Sequence, residues 1–360
     1  MRPADVRLAF LVYVSRSGST LLADRLNNRI CNLYVLPEFR ALTWACHIAK
    51  RSRRCAIEDA RILEFDPQFS NLPDSLQVEL RARLCARNTE EVLVGILEAI
   101  RQWATTKARI ESDGSYAPTV LVQGGGLLWH KDLLAKCCPN SVWLHIVRDP
   151  RGVVNSQRRA VRPYGIGHET MLGGNPLRGA RYWQEFVSCA SDEWDVYTVR
   201  YEDFVMSPEL TLKGVAQCLG CRLTPIHEFG RPRGHLSIGR REREIHELVR
   251  EPIDSRRMHA WRHELSRRAR LIVESEAIAG MERWGYGPTE IGVSAPHRGL
   301  LPVLRICYQL RGVVNTVWYG VFRRDFYRSI RLLVWSLCEA ESWVSRGWWV
   351  AFLARCPWEE

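Results

Sequence analysis

Arg16-Ser17-Gly18-Ser19-Thr20 is the first segment whose residue types suit chemistry. An apolar run, Leu8–Val14, leads into it, and a helical pattern starts at Ser19. Loop N–H groups just ahead of a helix point inward and form an anion cradle. Arg16 adds a permanent charge, and Ser17, Ser19 and Thr20 add hydroxyl donors. The string is not a Walker A loop: its first Gly is absent, and Ser19 stands where the Lys should be. An ordinary ATP or GTP hydrolase is therefore disfavoured. A second segment, His145-Ile-Val-Arg148-Asp149-Pro150-Arg151 with Ser156, also joins a strand end to a helix start. If Arg148 closes the strand and Ser156 lies in the helix, both converge on one phosphate. A structural Arg–Asp turn is the competing reading. Third comes Tyr201-Glu202-Asp203-Phe204, then Ser207 as a helix N-cap with Pro208 at the first helical position.

These residues need elements to hold them. Leu8–Val14, Thr119–Gln123, Val142–Val147 and Val196–Val199 read as buried parallel strands. Each precedes a turn and a helical pattern: Ser19–Asn28, Leu127–Cys137 after Gly124-Gly-Gly126, Arg151–Arg159, and Pro208–Leu219 closed by Gly220. Strand–helix alternation predicts a parallel sheet with helices on both faces. Leu76, Leu80, Leu84 and Val92, Ile96, Ile100 recur at helical spacing, so the stretch from 55 to 110 is read as helical. Residues 160–178, rich in Gly and Pro, are read as a mobile loop, and a boundary falls near Gly285–Gly299.

The chain of 360 residues is 46% hydrophobic and 25% charged, values of a folded globular protein. No run of about 18 uncharged apolar residues suggests a membrane span. Leu8–Val14 is short for a secretory signal and lacks a small-residue cleavage site, so a cytoplasmic chain is expected. Twelve cysteines offer no trusted ligand spacing. Cys218 and Cys221 form a C-x-x-C without a second pair, so reduced, mostly buried thiols and no metal are expected. The net charge of +11 is carried almost wholly by Arg and suits an anionic ligand, a nucleic acid or an anionic membrane surface. Six of the fourteen Trp fall in the last sixty residues. There Phe326, Ile330, Leu333 and Leu337 would share one helix face opposite Arg324, Arg328 and Arg331. That pattern over 300–355 suits a helix on a membrane surface, and equally a helix packed on the main domain.

In order and spacing the three segments resemble the sulfotransferases that use 3′-phosphoadenosine 5′-phosphosulfate (PAPS). Arg16-Ser-Gly-Ser-Thr-Leu-Leu22 looks like their 5′-phosphosulfate loop, and Ile146-Val-Arg148-Asp149-Pro150-Arg151 with Ser156 like their 3′-phosphate motif. Tyr201-Glu-Asp-Phe204 and the helix after it resemble the segment after the fourth strand. The resemblance spans roughly residues 6 to 285. It implies a P-loop NTPase-like three-layer α/β/α sandwich over 1–285 that binds PAPS, with a Trp/Arg-rich helical extension over 286–360. Arg16 would contact the phosphosulfate, Ser17, Gly18, Ser19 and Thr20 would cradle the 5′-phosphate, Arg148 and Ser156 would bind the 3′-phosphate, and Tyr201 would lie near the adenine. A sulfuryl group bears less charge than a phosphoryl group, so Arg and backbone donors suffice and no metal is expected. Gly230–Gly239 with Trp261 faintly resembles the last cofactor loop, with Arg240 and Arg241 in place of its usual Asn-Pro.

The acceptor hydroxyl needs a base. Glu38-Phe39-Arg40 is similar to the Glu-x-Arg of protein-tyrosine sulfotransferases, which implies Glu38 as base and Arg40 as its partner. A surface Glu–Arg pair is the plain alternative. His130 and His168 are the further candidates. Gly124-Gly-Gly126 departs from the relatives' Lys-x-Pro segment, which leaves Lys131 as the nearest substitute. The expected activity is transfer from PAPS to a hydroxyl of a carbohydrate, lipid or small metabolite, with peptide tyrosine less favoured. The acceptor pocket is expected on loops 40–75 and 160–180. A non-catalytic nucleotide-binding scaffold and a P-loop kinase are the alternatives. No nucleic-acid partner is expected, because Arg is spread along the whole chain.

Overall fold

The computed structural model describes residues 6–51, 69–84, 89–111, 118–161, 174–190, 195–223, 251–289 and 296–322, with Leu63, Asp66 and Val249 between them. Five strands carry the architecture: β1 (Arg7–Tyr13), β2 (Leu33–Leu36), β3 (Thr119–Gln123), β4 (Val142–Val147) and β5 (Val196–Arg200). They form one sheet in the order β2-β3-β1-β4-β5, with every pairing parallel. β1 through β4 are apolar almost end to end, as strands buried on both faces must be.

Alternation along each strand divides the core in two. Leu8, Phe10, Val12, Val120, Val122 and Trp143 face one layer, and Ala9, Leu11, Leu121, Leu144 and Ile146 face the other. The second layer is closed by α1 (Ser19–Arg29), α8 (Tyr201–Met206) and α9 (Pro208–Leu219). Facing the first lie α2 (Arg40–Arg51), α3 (Asp74–Leu84), α4 (Thr89–Glu111), α5 (Lys131–Cys137), α6 (Pro150–Val161), α7 (Pro176–Cys189) and α11 (Arg267–Arg283). A short α10 (Trp261–Glu264) precedes α11, and α12 (Pro296–Phe322) comes after it. The three-layer sandwich expected from the sequence is the one observed.

Several details differ from the sequence reading. β2 was not among the expected strands; its four residues give no room for a periodic signal. Leu127–Cys137 is two elements, a 3₁₀ segment (Gly125–His130) and then α5. The 3₁₀ segment begins where Gly125 approaches the end of β1, so closely that a Cβ there would collide with the Tyr13 carbonyl oxygen. Ser207 occupies the N-cap position of α9 without a side-chain capping bond, whereas Gly220 closes that helix at φ 64° as expected. Pro176–Arg178, assigned to the loop, is the first turn of α7, capped by the Asn175 side chain. Among the eight described free cysteines only Cys46 and Cys138 are buried, fewer than expected. The stretches 162–173 and 323–360, with His168, the 230–241 loop and the Phe326–Leu337 face, lie outside the described residues.

His145 sits inside this core, in the middle of β4, packed against Phe186 and Trp284. Burial, with a smaller contribution from Arg283, pushes its pKa down to about 3, so it is neutral in the fold. The unfolded chain takes up this proton below about 6.5, whereas the folded chain does so only near 3, so stability is lost as pH falls through that window. A His145→Leu variant should gain in melting temperature relative to the natural protein as pH is lowered from 7 to 4. A pH-independent difference between the two would show that His145 titrates normally.

Candidate active site

All five strands run the same way, so the loops after them gather along one edge. β1 leads back toward β2 on one side, and β4 leads to β5 on the other. The carboxyl ends of β1 and β4 therefore flank a topological switch point, where open α/β sheets place their ligands. The Arg16 loop lies after β1, and Arg148 after β4.

The loop after β1 is tightly wound. Ser17 N–H donates to the Val14 carbonyl at 3.1 Å, and Leu22 N–H to the Gly18 carbonyl at 3.0 Å. Gly18 takes φ 92°, and Arg16 itself takes φ 78°, a left-handed conformation that an L side chain rarely adopts. Tertiary bonds hold Arg16 there. Its Nε donates to Ser156 Oγ on α6 at 3.0 Å, and its carbonyl accepts from Arg148 Nη1 at 3.1 Å. Gln157 Nε2 donates to the Ser15 carbonyl at 3.3 Å. Ser156 and Arg148 thus meet the first loop directly, although 140 and 132 residues separate them from Arg16. Sequence reasoning placed both on the far phosphate of the ligand. The Ser156 hydroxyl is in addition a partner of Arg16.

Two observations test whether an anion fits. Ser17 Oγ and Arg148 Nε are buried, and among the described residues neither has a hydrogen-bond partner. Gly18 gives the first turn of α1 no side-chain cap. Buried polar atoms left unmatched are costly, and a bound oxyanion would satisfy them. Burial, and then the like charge of Arg148, push Arg16 down to about 10; it is still protonated at neutral pH. An anion seated between these guanidinium groups would relieve their repulsion.

Tyr201, the residue expected near the adenine, is packed against the first loop. It is only 7% exposed, and its ring lies against Gly18, where a Cβ would stand 2.5 Å from Tyr201 Cδ2. The Arg148 guanidinium stacks on the ring 4.2 Å from its centroid. The Tyr201 ring thus contacts both Gly18 of the loop and the Arg148 guanidinium. The same stretch holds a second cluster that sequence reasoning missed. Arg151 bonds Asp149 and the buried Glu274, and stacks on Trp261 at 4.0 Å. Glu202 accepts from the Asp149 N–H and from the Tyr286 hydroxyl. No sequence signal pairs Arg151 with a carboxylate 123 residues away.

On the β2 side, Glu38 and Arg40 stand together, Nε to Oε1 at 3.8 Å, both side chains half exposed. Gln123, at the end of β3, donates to the Leu36 carbonyl at 2.8 Å and ties down the strand that leads to Glu38. Burial pushes the nearby Tyr182 hydroxyl up to about 12, with Glu185 and Glu38 adding to the effect and Trp129 opposing it. His130 is 2% exposed and packs edge-on against His47, 4.2 Å between ring centroids. Lys131 opens α5, and its charge is felt at the Cys189 thiol, where burial and Glu185 act the other way. No group of His, Cys, Asp or Glu among the described residues is arranged to hold a metal ion.

A tight strand-to-helix loop at the switch point of a parallel α/β/α sandwich defines a P-loop-like class of protein. Within that class the assignment is specific: a model of the sulfotransferase family matches residues 9–225, and the chain belongs to that family. The protein is a sulfotransferase enzyme. Solved structures it is similar to include the sulfotransferase domain from the curacin biosynthetic pathway, 17% identical, covering 79% of this chain and 99% of that one at a TM-score of 0.47. Another is the sulfotransferase domain of the Synechococcus PCC 7002 olefin synthase, 16% identical, with coverages of 78% and 95% and a TM-score of 0.48. No curated protein matches the chain.

The stacking of Arg148 on Tyr201 gives a direct test. Tyr201→Phe keeps the ring and should leave binding of 3′-phosphoadenosine 5′-phosphate, the nucleotide implied by the family resemblance, within about twofold. Tyr201→Leu removes the ring face and should weaken it by about fivefold or more, as loss of a cation–π contact does. Equal losses in both variants, read by calorimetry, would mean that the hydroxyl and not the ring is what matters.

Proposed function

We propose that this sulfotransferase transfers a sulfuryl group from PAPS to the hydroxyl of a carbohydrate, lipid or small-metabolite acceptor. The observation that carries this reading is the convergence of Arg148 and Ser156 on Arg16 in the first loop, where Ser17 Oγ and Arg148 Nε are buried and unmatched. PAPS, when bound, supplies the group to be transferred and keeps the 3′-phosphoadenosine 5′-phosphate portion as leaving group. Ser17, Gly18, Ser19 and Thr20 hold the 5′-phosphate through loop N–H and hydroxyl donors. Arg148, with Ser156 beside it, holds the 3′-phosphate. Arg16 neutralises charge as it grows on the leaving oxygen. Protonated at neutral pH, it is an electrostatic stabiliser and not a proton donor.

Glu38 is the base in this reading, and Arg40 orients it. Its half-exposed carboxylate can accept a proton from an arriving hydroxyl and pass it to water. His130, packed against His47 and almost without exposure, is the second candidate, and reaching an acceptor would require it to leave that contact. Residues 1–285 form the transferase unit, and 286–360 the extension. No helix among the described residues is long and apolar enough to cross a membrane. A cytoplasmic enzyme, peripheral on an anionic membrane surface, fits that observation together with the Arg-rich composition.

Calorimetric titration with 3′-phosphoadenosine 5′-phosphate, ADP and AMP tests the donor. Only the first should bind tightly, and Arg148→Ala and Arg16→Ala should each cost tenfold or more, about 1.4 kcal/mol. Equal affinity for ADP would reject the 3′-phosphate assignment. For the base, Glu38→Gln should leave that affinity unchanged and lower turnover by about 10²–10⁴-fold. Turnover that survives in Glu38→Gln and collapses in His130→Gln would transfer the role to His130.

A further inference from the structure

α12 docks on the body by one seam. Leu304 is buried with Leu177, Leu271 and Ile272, and Leu301 and Tyr308 pack beside it. Arg305 pairs with Glu276 of α11, Asn175 Nδ2 donates to the Tyr308 carbonyl at 2.9 Å, and Gly312 lies against the Arg178 guanidinium. Positions 301, 304, 308 and 312 recur with the helical period, so the seam accounts for one face only.

The face turned away from the seam is also apolar. Leu300, Val303, Ile306, Leu310 and Val314 are 41%, 54%, 57%, 60% and 61% exposed. At about 100° per residue they fall within an arc of roughly 120° on the side away from the docked seam. Single exposed apolar residues are ordinary, but an unbroken stripe over about 21 Å of helix is not. The charged residues of α12 are Arg298, Arg305 and Arg311, with no carboxylate. Residues 323–360 add six Arg and five Trp against five carboxylates.

We propose that the outward face of α12 lies on an anionic lipid surface. Leu300, Val303, Ile306, Leu310 and Val314 enter the boundary between headgroups and acyl chains, and Arg311 meets the phosphates. Charge complementarity selects this occupant. A second copy packed through the same face would set one carboxylate-free, cationic helix against another. An outward apolar stripe flanked by Arg is the pattern of a helix that lies in a bilayer interface. α12 also touches Asn175, within the 160–180 stretch expected to line the acceptor pocket, so a lipid-bound helix would hold Asn175 near the membrane. The proposal stands apart from the PAPS reading, since none of these residues belongs to the cradle.

The full chain should sediment with vesicles of phosphatidylcholine containing phosphatidylglycerol, and much less with phosphatidylcholine alone. Added salt should weaken the binding. The double variant Ile306→Glu/Leu310→Glu should lose about tenfold or more in vesicle affinity. Its melting temperature and its affinity for 3′-phosphoadenosine 5′-phosphate should match those of the natural protein. If the nucleotide binds neither protein, the PAPS reading fails and this one is still decided by the vesicles. Unchanged vesicle binding in the double variant, or no binding to anionic vesicles at all, overturns the proposal. A natural chain that sediments as a dimer, ignores vesicles and becomes monomeric on double substitution would assign the face to a second copy.

Discussion

The hydrogen bond from Arg16 Nε to Ser156 Oγ, with the return bond from Arg148 to the Arg16 carbonyl, is the constraint on which the site depends. It joins the first crossover of the sheet to the one after β4. Without it, Arg16 would have little reason to keep a left-handed backbone, a conformation that costs roughly 1–2 kcal/mol for an L residue. With it, two cationic side chains are held in one crevice, and their repulsion favours an anion. The like charge of these two side chains is a device tolerated in the free protein, and an anion seated between them would offset it.

A second layer of interactions keeps that device in place. Arg151 is only three positions from Arg148, yet it points into the protein and ends on Asp149 and Glu274. Removing one member of such a buried ion pair commonly costs about 3–5 kcal/mol, because its partner is left uncompensated. Trp183 donates to the Arg148 carbonyl at 2.9 Å, and Tyr201 fills the space between Arg148 and Gly18. The two arginines of one short motif therefore divide the work. Arg148 faces the cradle, and Arg151 fastens α6 to α11.

Gly124-Gly-Gly126 shows how a departure from a family pattern can have a packing cause. The chain after β3 passes so close to Tyr13 and Thr43 that a side chain at Gly125 or Gly126 would collide with them. The 3₁₀ segment beyond it carries His130 against His47 of α2. The turn after β2, the edge strand of the sheet, carries the Glu38–Arg40 pair.

Local rules were enough for much of this. Apolar runs of five or more residues announced β1, β3 and β4, and their alternation with helices required a parallel sheet. The cradle was legible because a strand, a tight Gly turn and a helix start are contiguous in the chain. Pro208 and Gly220 marked the ends of α9 for the same reason. What the sequence could not decide was every interaction whose partners are far apart along the chain. Four-residue β2 is specified by its pairing with β3 more than by its own pattern. Whether Arg148 or Arg151 faces the first loop depends on Glu274, Trp261 and Tyr201, none of them near in sequence. The face of α12 left to solvent is set by where Leu177 and Ile272 happen to meet Leu304. Periodicity and turn chemistry act over a few residues, so sequence alone determines them. Side-chain direction in a folded core is chosen by contacts, and only the tertiary structure brings those contacts together.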